Sequence, residues 1–314
     1  MKTLSRIVIG VILLILFFSS AANADYIGGF LNDGNAWTFF TYPEGKYITT
    51  YGINNAGQIV GDYTGGDNNR HGFLKDGNTW TSLDYPGANS TFADGGINDA
   101  GQIVGTYYAG GPPHGFLKDG NTWTSFDYPG SLSTSFNSIN NAGQIVGNFS
   151  EYISGYNGFL KDGNTWTRLV HPDSYSANFW VQGINDNGQI VGYYSGPGTT
   201  GEQGFLTDGN TWTSFSYPDS YRTYFFDINN AGQIVGSYFD TTGWHGFLKD
   251  GNTWTSLDYP GGYDIFAFGI NDNGQIVGQI QGLSEPTPVP EPTTMLLLGS
   301  GLIGLWGLRK KFKN

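Results

Sequence analysis

The chain has 314 residues and no cysteine, so neither a disulfide framework nor a thiolate metal site is available, and stability has to come from packing. Basic residues are also scarce. There are 14 Lys and Arg against 26 Asp and Glu, and six of the basic ones (Lys2, Arg6, Arg309, Lys310, Lys311 and Lys313) lie at the two ends. Residues 25–292 keep 8 basic against 26 acidic residues, a net charge of −18. Such a surface repels phosphate backbones and anionic headgroups, which argues against nucleic-acid or membrane-surface binding by this region. Between the ends there is no long apolar run, and no stretch carries the 3.6-residue period of an amphipathic helix of useful length. Gly-x-Ser-x-Gly elbows, P-loops, dinucleotide fingerprints and paired histidines at helical spacing are missing as well.

What the chain does contain is a repeat. Gly-Phe-Leu begins at Gly29, Gly72, Gly115, Gly158, Gly204 and Gly246, and Gly-Gln-Ile-Val-Gly begins at Gly57, Gly101, Gly143, Gly188, Gly232 and Gly274. The two motifs alternate with a period of about 43 residues, the range of repeat architectures. Within one period, Phe73-Leu74-Lys75 and Asn78-Thr79-Trp80-Thr81 flank Asp76-Gly77, which predicts a hairpin with a two-residue turn. Ile97 and Gln102-Ile103-Val104 flank Asn98-Asp99-Ala100-Gly101, which predicts a second hairpin. There Gly101 takes the left-handed position and Asn98 accepts hydrogen bonds from the turn. Tyr85-Pro86-Gly87 stops the strand between them.

Four short antiparallel strands per period, six times over, predict an all-β fold: a six-bladed β-propeller of ~43-residue four-stranded repeats over residues 25–282. A β-solenoid is the competing architecture, but it spends about 20–30 residues per coil and needs atypical capping repeats. The chain opens with one hairpin and closes with the other. Ring closure therefore predicts five complete blades plus one built from both ends, with the strands near Phe30 and Trp37 joining those near Phe268 and Ile276.

The ends carry their own signals. Lys2 and Arg6, an apolar run from Ile7 to Phe18 and small residues ending Ala22-Asn23-Ala24 have the order of a secretory signal peptide, predicting cleavage after Ala24. Residues 283–292 form a Pro-rich linker containing Pro290-Glu291-Pro292. An apolar segment at 293–308 then predicts a transmembrane helix, and Arg309, Lys310 and Lys311 begin a basic tail at 309–314 that suits cytoplasmic retention.

The order Pro290-Glu291-Pro292, short apolar helix, basic tail resembles the PEP-CTERM sorting signal. The resemblance implies recognition by an exosortase, transient anchoring in the inner membrane, cleavage near the Pro-Glu-Pro motif, and release to the surface or extracellular matrix of an exopolysaccharide-producing Gram-negative bacterium. The repeat core, as in Gly96-Ile97-Asn98-Asp99-Ala100-Gly101-Gln102-Ile103-Val104-Gly105, resembles the HAF-type extracellular repeat, which names an architecture and no activity.

Candidate chemistry is sparse. His71, His114 and His245 each precede a Gly-Phe-Leu triplet and read as parts of the repeat, while His171 stands where other repeats have Tyr before Pro. The repeated turn aspartates, such as Asp76, read as turn formers. Asn185-Asp186-Asn187-Gly188 and Asn271-Asp272-Asn273-Gly274 offer oxygens to calcium, but the other four copies put Ala before Gly, so no metal or other cofactor is assigned. The repeated tryptophans, Trp80 among them, read as inter-blade core. Trp180 and Trp244 fall outside that register, and with Tyr108, Tyr156 and Tyr194, placed in loops, they are the candidates for stacking on sugars or contacting a protein partner. No residue is assigned a catalytic role, because nearly every polar motif is repeated and a catalytic site breaks symmetry. The expected protein is a non-enzymatic binding or structural component of an exopolysaccharide or biofilm matrix. A carbohydrate-active hydrolase or lyase is the rival, drawing on the non-repeated acids Glu44, Asp67, Asp94, Glu151, Glu202, Asp227, Asp240 and Asp264.

Overall fold

A computed structural model describes residues 26–43, 45–151, 155–174, 179–199, 201–260 and 263–283. The segments expected to form a signal peptide (1–24), a linker beyond 283, a transmembrane sorting helix and a basic tail lie outside the described residues, as does Glu44.

Strands β1 (Tyr26–Asn32) and β2 (Trp37–Phe40) are followed by β3 (Lys46–Ile53), β4 (Ile59–Thr64), β5 (Arg70–Asp76) and β6 (Thr79–Leu83), which form the first blade. The same four-strand meander recurs at 90–126, 133–169, 179–215 and 222–257, giving blades 2 to 5. The last two strands, β23 (Asp264–Ile270) and β24 (Ile276–Leu283), complete blade 6 in the order β2-β1-β24-β23. Phe30 pairs with Gly278 there, so the two ends of the chain share one sheet and the propeller closes on itself as predicted.

The Ile-Val pair of the repeated motif explains the ring. Successive side chains of a strand point to opposite faces, so Ile59 packs in the seam between blades 6 and 1, and Val60 in the seam between blades 1 and 2. The arrangement recurs around the ring, with Val104, Val146, Val191, Val235 and Val277 each entering the core of the following blade. Fully buried Phe73, Phe116, Phe159, Phe205, Phe247 and Phe30, from the Gly-Phe-Leu triplets, fill the same seams. The glycine that ends the motif is a matter of space, since a Cβ on Gly61 would lie 2.0 Å from the Thr49 carbonyl oxygen and against the Phe73 ring. The repeated tryptophans, as expected, pack on the seams from the outer strands, with Trp80 5.1 Å from Phe73.

One detail of the first hairpin differs from expectation. Asp76 pairs with Thr79, so the turn residues are Gly77 and Asn78, with Gly77 at φ 53°. A glycine at positive φ in the first turn position is the type II′ requirement. This leaves Asp76 at the strand end, where its carboxylate accepts a hydrogen bond from Gln58 Nε2 at 3.0 Å.

Candidate functional site: the central channel

The first strand of each blade lines a central cavity of about 350 Å³, within the size range of small-ligand pockets. One mouth is made by the six turns at 54–57, 98–101, 140–143, 185–188, 229–232 and 271–274. Two hydrogen-bonded rings close them together. In the first, Asn54, Asn98, Asn140, Asn185, Asn229 and Asn271 are buried, and each Nδ2 donates to the carbonyl of the next at 3.0–3.2 Å. Each Oδ1 also accepts the amide of the glutamine four residues on, the turn role predicted for Asn98.

In the second ring Asn55, Asp99, Asn141, Asp186, Asn230 and Asp272 alternate, and each backbone amide donates to the next side chain's Oδ1 at 2.7–2.8 Å. Each Asn Nδ2 donates to the Oδ2 atoms of both neighbouring aspartates. An amide has two hydrogens and no negative charge, and a carboxylate has acceptors only. Alternation therefore gives every aspartate Oδ2 an amide donor on each side, whereas six aspartates would have no side-chain donors. This answers the calcium reading of the two Asn-Asp-Asn-Gly turns. Asp186 and Asp272 belong to the ring, and Asn187 and Asn273 donate to the carbonyls of Asn230 and Asn55.

Deeper in the channel the symmetry fails. A β-bulge in the inner strand aims one residue per blade at the cavity: Tyr51, Asn137, Gln182, Phe226 and Phe268, with Asp94 taking that place in blade 2. Phe226 and Phe268 lie 4.9 Å apart and Tyr51 is 5.2 Å from Phe268, so blades 5, 6 and 1 present a continuous aromatic wall. It extends through Tyr193, 6.3 Å from Phe226, to Trp180 and then Tyr156, whose ring lies 4.4 Å from Trp180. The remaining gap is polar, lined by Asp94, Ser135, Asn137 and Asn148.

Behind that gap, at the seam of blades 1 and 2, Asp62 is fully buried and ion-paired with Arg70. Asp62 Oδ2, Arg70 Nε and Asp94 Oδ1 have no hydrogen-bond partner and are shut off from solvent. Burial raises the Asp62 carboxyl to about 7 despite Arg70, and burial together with the Asp62 charge pushes Asp94 well above the usual carboxylate range. On the opposite blade, burial raises Asp227 to about 7, although its Oδ2 accepts the Ile270 amide at 3.0 Å.

The candidate residues distribute unevenly over this geometry. Trp180 and Tyr156 line the cavity. Trp244 opens the third strand of blade 5 instead of lying in a loop, and backs the aromatic wall through Tyr224 at 5.1 Å and Phe266 at 5.5 Å. Tyr108 is exposed beside Phe92, 5.6 Å away, outside the cavity lining. Tyr194 is corrected from loop platform to core. It is 4% exposed and stacks at 3.8 Å on His171, because it sits in a strand on the face that meets the seam. His171 is a buried spacer, occupying the slot that Tyr42, Tyr85, Tyr128 and Tyr217 fill elsewhere.

Of the non-repeated acids, Asp94 and Asp227 reach the cavity, from diametrically opposed blades. Asp67 and Asp240 hold His71 and His245, Glu151 and Glu202 face Arg168 and Arg222, and Asp264 accepts the Trp244 amide. Sequence reasoning missed Tyr51, Phe226 and Phe268. The available signal was position: each stands three residues before the turn asparagine that recurs in every repeat, where the six copies disagree.

A closed six-bladed propeller with an asymmetric channel defines the class of protein. Its fold is similar to that of the putative TolB of Agrobacterium tumefaciens, with TM-score 0.64, 12% identity, and coverage of 83% of this chain and 100% of that one. TolB of Acinetobacter baumannii aligns at TM-score 0.53 and 13% identity over 82% of this chain and 63% of that one. The β-propeller domain of the Trilobed protease from Pyrococcus furiosus, described as having an open velcro topology, aligns at 0.50 and 13% over 76% and 75%. Identities this low show the fold alone. No curated protein is significantly similar to the chain. Residues 288–311 match the PEP-CTERM protein-sorting motif, which indicates an exported protein that is processed by exosortase and associates with the membrane for sorting before release.

Proposed function

We propose that the released propeller is a non-enzymatic glycan-binding component of the exopolysaccharide matrix at the surface of a Gram-negative cell, and that the channel is its binding site. The observation that carries this reading is the unrepeated aromatic wall formed by Trp180, Tyr193, Phe226, Phe268 and Tyr51 around one cavity. Flat apolar faces beside Asn137, Asn148 and Gln182 suit the apolar faces and hydroxyls of pyranose rings. The secretory signal read at 1–24 and the resemblance of the repeats to HAF-type extracellular repeats agree with display outside the cell.

The test uses residues 25–283, which hold the 24 strands of the described residues and close on themselves. Mixed with the host's extracellular polysaccharide, this fragment should change its tryptophan fluorescence, a change that Trp180→Phe should diminish, and release no new sugar ends. New sugar ends would replace the reading with a hydrolase or lyase and direct attention to Asp94 and Asp227. In the full chain, replacing Pro290-Glu291-Pro292 by alanines should hold the protein in the membrane fraction.

A further inference from the structure

The charge of the cavity selects among glycans. Among the described residues that line it, five are aspartates (Asp94, Asp99, Asp186, Asp227 and Asp272) and none is Lys, Arg or His. Arg70, behind the wall, is taken up by Asp62. A concave site lined by one sign of charge concentrates ligands of the opposite sign. An anionic uronate polymer would be repelled from it. Tyr51, Phe226 and Phe268 add π-faces, which attract ammonium groups most strongly where water is excluded. Asp94 completes the arrangement, with an Oδ1 that has no partner and is closed to solvent, set in the polar gap of the aromatic wall.

We infer that the channel binds a protonated amino sugar, of the kind present in a partly de-N-acetylated hexosamine polymer, with the ammonium held between Asp94 and the Tyr51 ring of the adjoining blade and with Phe268 and Phe226 continuing the aromatic face along the rest of the sugar. The inference rests on the glycan-binding reading and names its ligand class. The neutral hydroxyls of the same sugar would meet Asn137, Asn148 and Gln182. The raised carboxyl of Asp94 adds a consequence. An ammonium beside it favours the ionised form, so binding expels a proton and strengthens as pH rises toward neutrality. The groups facing Asp94 are Asp62, Arg70, Thr106, Tyr51 and Tyr108, with Asp227 across the channel. Of these, Asp62 and Asp227, both raised to about 7, also lose their protons as pH rises and move affinity in the same direction.

Calorimetry on residues 25–283 with glucosamine oligomers and N-acetylglucosamine oligomers of equal length tests the inference. The expected result is affinity for the glucosamine oligomer at least about tenfold higher. Protons should be released on binding, seen as a heat that depends on the buffer's ionisation enthalpy. Asp94→Asn should erase the preference without lowering the melting temperature, because it removes a buried carboxylate rather than a packing contact. Proton release by the wild type is a separate readout that needs no variant. Equal affinity for the two oligomers, or preference for the acetylated one, overturns the amine assignment and leaves glycan binding intact. Failure to bind either oligomer and the host polysaccharide sinks both readings. Tighter binding of calcium alone, or of an oligolysine peptide, would transfer the site to a metal or a protein partner and overturn the inference.

Discussion

The shell and the channel wall of this propeller come from the same six repeats and obey different rules. In the shell, the valine that enters the next blade is Val60, Val104, Val146, Val191, Val235 or Val277, the same residue each time. At the cavity-facing position, a bulge in five blades, the equivalent residues are Tyr51, Asp94, Asn137, Gln182, Phe226 and Phe268, six positions with five residue types. Each seam faces the same problem, burying one blade against the next at interior packing density, and one solution serves six times. The wall has no such task. Its residues face a shared space, so nothing in the packing requires them to agree, and the differences are free to encode a ligand.

Four experiments break or sharpen this contrast. The largest effect should come from removing residues 25–40, which strips β1 and β2 from blade 6 and leaves β24 as an open edge. Light scattering should show association or loss of a folded monomer. Next, Phe247→Ala in the shell should cost about 3–5 kcal/mol in denaturant unfolding, because its ring is wholly buried. Phe226→Ala in the wall should cost clearly less while abolishing ligand binding. If the two variants lost stability equally, the division between shell and wall would be false.

The third concerns Asp227, whose carboxyl is raised to about 7 in the folded chain. The folded state then holds this proton more tightly than the unfolded state, so stability from this site is full below about pH 4 and falls as pH rises toward 7. Asp227→Asn keeps an acceptor for the Ile270 amide and should gain on the order of 1–3 kcal/mol over wild type at pH 7.5, a gain that vanishes by pH 4. Matching pH profiles for the two proteins would show that the carboxylate is not held at that cost. The smallest effect belongs to Tyr156→Ala at the exposed end of the aromatic wall. It should change the melting temperature by no more than a degree or so, the small shift of a surface substitution, while weakening glycan binding severalfold.

The blade count, the closure through both ends, the turn role of Asn98 and the sorting motif were legible in the sequence because each is carried by local chemistry or by repetition. Trp180 and Tyr156 were legible as residues out of register, but Tyr194 looked the same and proved to be core. In a strand, one step along the chain changes the face on which a side chain stands, and only the pairing of Phe179 with Tyr194 and Trp180 with Tyr193 fixes which face that is. The alternation of Asn55, Asp99, Asn141, Asp186, Asn230 and Asp272 was also visible, yet its meaning required the ring. Single-chain order does not say that the sixth turn is hydrogen-bonded to the first, 217 residues away.

By itself, then, the sequence determined a closed ring of six alike blades, because the periods of its apolar residues and turns recur at fixed spacing. Which unlike residues meet across the channel was decided by the tertiary structure alone. Bulges one residue long turn Tyr51, Phe226 and Phe268 inward, and ring closure brings blades 5, 6 and 1 side by side around a space that no segment of the chain encloses on its own.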